Sequence, residues 1–178
     1  MSPNTSPRCK ASPRAPARIW LYAVFIGYCM TLLWLLFGTR LAAVPCPSDA
    51  IPIAPYWDSM RDHINLIPGA TICEYSLNLL SPSTTTKTVI AAVNLIGNMI
   101  LFLPMGMLLP CLSARFRSLR RVTTLVAAMV AVVELTQLFT LLGMCDIDDL
   151  ILNVLGAQLG YGLYCMAQRL CKNKEEMT

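Results

Sequence analysis

The sequence predicts an all-α integral membrane protein, a bundle of four transmembrane helices with a long extracytoplasmic loop between the first and second. Three observations carry this reading. The 178-residue chain is 56% hydrophobic and only 13% charged, against roughly 25% charged in ordinary soluble domains. Its charges are clustered, leaving the apolar runs Ile19–Gly38, Thr88–Cys111, Val122–Leu142 and Asp148–Gln168, each near the roughly 20 residues that a bilayer-spanning helix needs. The basic residues also alternate between the connections in the way a multi-pass protein requires. A soluble core could hide one such run, but this chain is too short to hide four.

Taken in order, Met1–Arg18 is rich in Ser, Pro and Arg and lacks the apolar side chains of a core, so it reads as a disordered basic cytoplasmic tail. Residues 19–38 form the first transmembrane helix. This run carries no charge and exceeds the roughly 7–15 apolar residues of a signal peptide, which favours a retained anchor. Residues 39–87 form the extracytoplasmic loop, where Pro45, Pro47, Pro52, Pro55 and Pro68 exclude a long helix. Within it, Tyr56–Asn65 suits a short turn on the membrane surface, and His63, the only histidine, reads as a solvated loop residue.

Residues 88–168 carry the remaining three helices, and 169–178 form a second cytoplasmic tail. Arg8, Lys10, Arg14 and Arg18 precede the first run. Arg115, Arg117, Arg120 and Arg121 join the second to the third, and Arg169, Lys172 and Lys174 follow the fourth. The third connection carries Asp146, Asp148 and Asp149 instead. Both tails and the arginine link are therefore expected in the cytoplasm and the aspartate turn outside. These basic residues suit anionic lipid heads; no folded basic surface for nucleic acid is implied. Of the eight cysteines, Cys46 and Cys73 lie in the loop, where a bridge and two free thiols both remain open. No closely spaced ligand pairs are present, so no metal site is expected, nor any other cofactor.

The membrane runs also carry polar residues in a pattern. Asn94 and Asn98 are four apart and share a helix face, and Pro104 and Gly106 follow at an expected kink. Glu134 and Gln137 are three apart on the third helix. On the fourth, Asp149, Asn153, Gly156 and Gly160 form one stripe, the glycines allowing close helix packing. At about 1.5 Å per residue, Asn94 lies roughly 9 Å deep, Asn98 roughly 15 Å, Glu134 roughly 12 Å and Asn153 roughly 7–8 Å. Amides and an acid from three helices thus converge in the outer half of the membrane, which predicts an outward-opening polar pocket formed by Asn94, Asn98, Glu134, Gln137, Asp146, Asp149 and Asn153. A carboxylate deep in a bilayer costs roughly 2.5–3.5 kcal/mol. Glu134 is therefore protonated, hydrogen-bonded by Asn98, Gln137 or Asn153, or exposed to water in a cavity. Asp146 is placed to cap the fourth helix, with Asp149 facing back.

These motifs resemble the VanZ-like membrane protein family, named for a teicoplanin-resistance protein. The resemblance covers about Ala92–Tyr164 and rests on "NLIGNMILFLPMGMLLP", "ELTQLF" and "DIDDLILNVLGAQLGYGL" in that order. Members often carry an arginine just ahead of the aspartate turn, where this chain has Gly143-Met144. The resemblance implies a bacterial cytoplasmic (inner) membrane protein associated with glycopeptide tolerance or envelope processes, and supplies no mechanism. Three functions fit these residues. One is a binding protein whose partners are membrane lipids and a lipid-linked envelope precursor or glycopeptide. The second is an intramembrane enzyme with Glu134 as acid/base, although no known catalytic motif is present. The third is a proton-coupled carrier, which with four helices calls for a homo-oligomer.

Overall fold

All four apolar runs form long helices in the computed structural model, which describes residues 15–41, 58, 60, 61, 63–80 and 85–176. The first membrane helix is Ala15–Leu33, continued by a wider π turn over Trp34–Gly38 and a last turn at Thr39–Leu41. The second is Thr85–Leu112, the third Leu119–Thr140 and the fourth Ile147–Glu176. All four are long and apolar enough to cross a membrane. The second helix runs unbroken through Pro104 and Pro110. Most of the N-terminal tail and Cys46 lie outside the described residues, and so does the question of a Cys46–Cys73 bridge.

The loop differs from a plain coil. Between Pro68 and Pro82 an eleven-residue helix spans Ala70–Leu80; with no proline inside it, nothing breaks the turn that Gly69 opens. Gly69 sits at φ +84°, a left-handed conformation that a glycine adopts without steric cost. Just before it, Ile64–Asn65 pairs in parallel with Cys145–Asp146, Ile64 opposite Cys145 and Asn65 opposite Asp146. The loop is thereby stitched to the aspartate turn.

The second and fourth helices share the largest interface and run in parallel, both starting at the aspartate end. Glycines set their separation. A Cβ on Gly106 would strike the carbonyl oxygen of Ala157, one on Gly156 that of Met99, and one on Gly160 that of Leu103. Between membrane helices, where lipid is as apolar as leucine, such close backbone approach is a main source of cohesion. Leu32, Phe102, Met105, Leu109, Val122, Val126 and Val130 fill the core, while Ile96, Ile100, Val132, Phe139 and Leu159 face outward, as a lipid-facing surface requires.

Interhelical hydrogen bonds complete the bundle. Tyr28 Oη donates to Leu101 O at 2.7 Å, Gln137 Nε2 to Leu36 O at 3.1 Å, and Gln158 Nε2 to Thr123 Oγ1 at 3.2 Å. The third helix ends in a Schellman pattern, with Leu142 N bonded to Gln137 O and Leu141 N to Leu138 O. Leu141 takes the left-handed position at φ 53°, where glycine is usual. The chain turns sharply there into the aspartate segment.

Candidate functional site

Each of the three aspartates does a separate job. Asp146 is the N-cap of the fourth helix: its Oδ1 accepts from Asp148 N at 2.9 Å, which satisfies one of the donors a helix start leaves open. Its other oxygen accepts from the hydroxyl of Thr71 at 2.5 Å and from Asn65 Nδ2 at 3.3 Å. Asp148 has no exposed surface. Its two oxygens accept from Gly69 N at 2.6 Å and Ile72 N at 3.0 Å, so it caps the loop helix from 79 positions away. Asp149 does not face back to complete a capping box. Its Oδ1 accepts from Asn98 Nδ2 at 2.5 Å, because the close glycine packing brings the second helix within reach.

Glu134 is buried, and its Oε2 accepts from Asp146 N at 3.2 Å. Glu134 thus has a hydrogen-bond donor, Asp146 N in place of the candidates Asn98, Gln137 or Asn153. Gln137 turns to the first helix, and Asn98 is taken by Asp149. The oxygen of Asn153, on a residue only 4% exposed, has no hydrogen-bond partner among the described residues. Asn94 donates to Tyr75 Oη at 2.9 Å and so ties the second helix to the loop helix. The structure therefore joins Asn98 to Asp149 and Glu134 to Asp146, and it places Asn94 and Gln137 at contacts with outer elements.

Positive charge arrives from the first helix. Arg40 Nη1 donates to Leu142 O at 3.4 Å, and its guanidinium lies against Gly143, where any Cβ would collide with it. Among the described residues it is the cation whose charge acts on both Glu134 and Asp149. Cys145, at the rim, has its thiol pKa raised by burial first and then by the negative charge of Glu134 and Asp146. No group of three or more His, Cys, Asp or Glu among the described residues is arranged to hold a metal ion.

Asp148, Arg40, Thr71, Asn65 and Tyr75 were not among the residues that the sequence reading assigned to the site. One signal was available for the loop partners: Pro68-Gly69 followed by the proline-free "ATICEYSLNLL" marks a helix start in need of an acceptor. Nothing local pointed to Arg40.

No curated protein and no solved structure matches the chain. A family model described as VanZ/LLP1 matches residues 24–168. That range takes in the first helix and the loop as well as the three later helices, and the site is built from all of them. The chain belongs to the VanZ/LLP1 family.

Proposed function

We propose that this multi-pass membrane protein contributes to glycopeptide (teicoplanin) tolerance or envelope-lipid handling by engaging a polar group of its ligand at the Glu134–Asp149–Asn153 cluster. In this reading it sits in the bacterial cytoplasmic membrane, with both tails and the arginine link in the cytoplasm. The supporting observation is Asn153. A buried amide oxygen without a donor costs about 1–3 kcal/mol, a burden that a purely structural helix stripe has no reason to carry. It lies one turn beyond Asp149, on the face where Asn98 and Glu134 gather, and it is an acceptor for an incoming N–H or O–H. The surrounding carboxylates favour a ligand group bearing positive charge.

The test separates binding from folding. Asn153→Leu removes the unsatisfied oxygen and keeps the branched outline of the side chain. The relief of about 1–3 kcal/mol is set against about 1–3 kcal/mol for packing the bulkier methyl groups, and stability should stay within about 2 kcal/mol of wild type. Expressed in a teicoplanin-sensitive bacterium, wild type should raise tolerance or shift the envelope-lipid profile. Asn153→Leu and Glu134→Gln should do neither while accumulating normally in the membrane. Full activity in both variants rules the reading out.

A second reading, an intramembrane enzyme with Glu134 as acid/base, draws on two carboxyl side chains, Glu134 and Asp149, lying within electrostatic reach of one another. Purified protein incubated with lipid-linked precursors, with products followed by mass spectrometry, decides it: no new product eliminates the enzyme.

A further inference from the structure

At the opposite end from the aspartates, the chain leaves the second helix through a short turn at Ala114–Phe116 and enters the third at Leu119. A groove of about 940 Å³ opens there between the turn and the first turns of the third helix. Its wall is fixed: Ser113 accepts from Arg115 N at 3.3 Å, and Arg121 Nη1 donates to Arg115 O at 2.9 Å. Arg115, Arg120 and Arg121 stand around it, while Phe116, Leu125 and Ala128 supply an apolar floor. Arg121, Thr124, Leu125 and Ala128 fall at helical spacings of 0, 3, 4 and 7, so they form one continuous face.

Two features decide what such a groove accepts. The first is charge. Between Glu74 and Asp146 the sequence has a single acid, Glu134; it is 13 positions along the helix from Arg121, roughly 20 Å away. No carboxylate of these elements is therefore near enough to neutralise the three guanidiniums, and an arginine fork matches the paired oxygens of an anion such as phosphate. The second is direction. The arginines lie at the end of a membrane-spanning helix, and the apolar floor runs from them along that helix into the bilayer. A free phosphate would use the arginines and leave the floor bare. A phospholipid uses both, its head on the guanidiniums and an acyl chain along Phe116, Leu125 and Ala128.

We propose that this groove is a binding site for the phosphate headgroup of an anionic membrane lipid, drawn from the leaflet at the basic end of the bundle. The site is independent of the acid cluster and of the function proposed for it.

Native mass spectrometry of the full-length protein, released from mixed phosphatidylglycerol and phosphatidylcholine micelles, tests this. Wild type should retain phosphatidylglycerol in preference to phosphatidylcholine. One basic side chain near an anionic surface contributes about fivefold, so Arg120→Gln with Arg121→Gln should weaken retention by roughly 25-fold. Ala128→Trp, which fills the floor without altering charge, should also weaken it. Arg169→Gln with Lys172→Gln removes the same charge outside the groove and should change retention by less than about fivefold. Excess inorganic phosphate should not displace the lipid. Thermal unfolding of each variant shows whether it remains folded, and Ala128→Trp and the Arg120/Arg121 pair report independently. Equal loss in the two charge pairs, unchanged retention in Ala128→Trp, or displacement by inorganic phosphate overturns the site.

Discussion

Replacing Asp148 should free the loop helix while leaving the four-helix bundle folded. Asp148 is fully buried, and both of its oxygens serve one purpose, accepting from Gly69 N and Ile72 N at the start of Ala70–Leu80. A hydrogen bond to a charged acceptor contributes about 1.5–3 kcal/mol, so the pair is worth at most about 6. The two N–H groups regain water once the loop helix lifts away, which favours the low end, about 3 kcal/mol. For Asp148→Ala this lowers the protection of the loop amides by about a hundredfold. Asp148→Asn keeps one acceptor oxygen but turns an NH₂ toward the second donor, and should fall between, near tenfold. Hydrogen exchange of the purified protein, read by mass spectrometry over residues 63–80 and 119–140, measures this directly. Loss of protection confined to 63–80 is expected. Unchanged exchange there in Asp148→Ala, or an equal rise over the third helix, refutes the reasoning.

Further outcomes follow from the same contacts. Gly156→Ala and Gly160→Ala each force a methyl onto a backbone carbonyl that cannot rotate aside, so each should cost about 3 kcal/mol in denaturant unfolding, whereas Gly162→Ala meets nothing within 4 Å and should cost nothing; equal losses at all three positions would contradict the packing. Gly143→Ala meets the flexible end of Arg40, which can swing away, so it should change stability by less than about 1 kcal/mol while breaking the Arg40–Leu142 contact. The Cys145 thiol, its pKa raised by burial, Glu134 and Asp146, holds less thiolate at any pH below that pKa. It should react with iodoacetamide more slowly than exposed Cys73, speed up as pH rises, and react faster in Glu134→Gln. A Cys145 rate matching that of Cys73 would contradict this.

The membrane architecture was legible because it rests on local signals. An apolar run of the right length, bounded by charge, forms a spanning helix whatever lies beside it. Gly156 and Gly160 announced close packing by their spacing, and Asp146 announced a cap by its place ahead of an apolar run. Glu134 and Asn98 could be placed at one depth by counting residues. Which atom bonds which could not be counted, because the fourth helix meets the second through carbonyl contacts at Met99, Leu103 and Ala157, and that register gives Asn98 to Asp149. The partners of Asp148 stand 76 and 79 positions away, and Arg40 reaches Leu142 across 102. Such pairs leave no periodic trace in the sequence, so the loop's part in the site emerged only from the fold.

The distribution of donors explains why the loop and the acids form one unit. Four carboxyl groups, Glu134, Asp146, Asp148 and Asp149, gather at one end of the bundle, where Arg40 is the cation beside Glu134 and Asp149 among the described residues. Repulsion among them is offset mainly by neutral donors: Asp146 N for Glu134, Asp148 N, Thr71 and Asn65 for Asp146, two loop amides for Asp148, and Asn98 for Asp149. Those serving Asp148, and two of the three serving Asp146, belong to residues 65–72. Lifting the loop strips these donors at once and leaves their acceptor oxygens to water. Conversely, removing the Asp148 carboxylate takes away both acceptors that hold the loop down. Docking of the loop and the hydrogen bonding of the cluster are therefore linked, and each must respond when the other is perturbed. The acid that the sequence reading left out, Asp148, is the one through which that linkage runs.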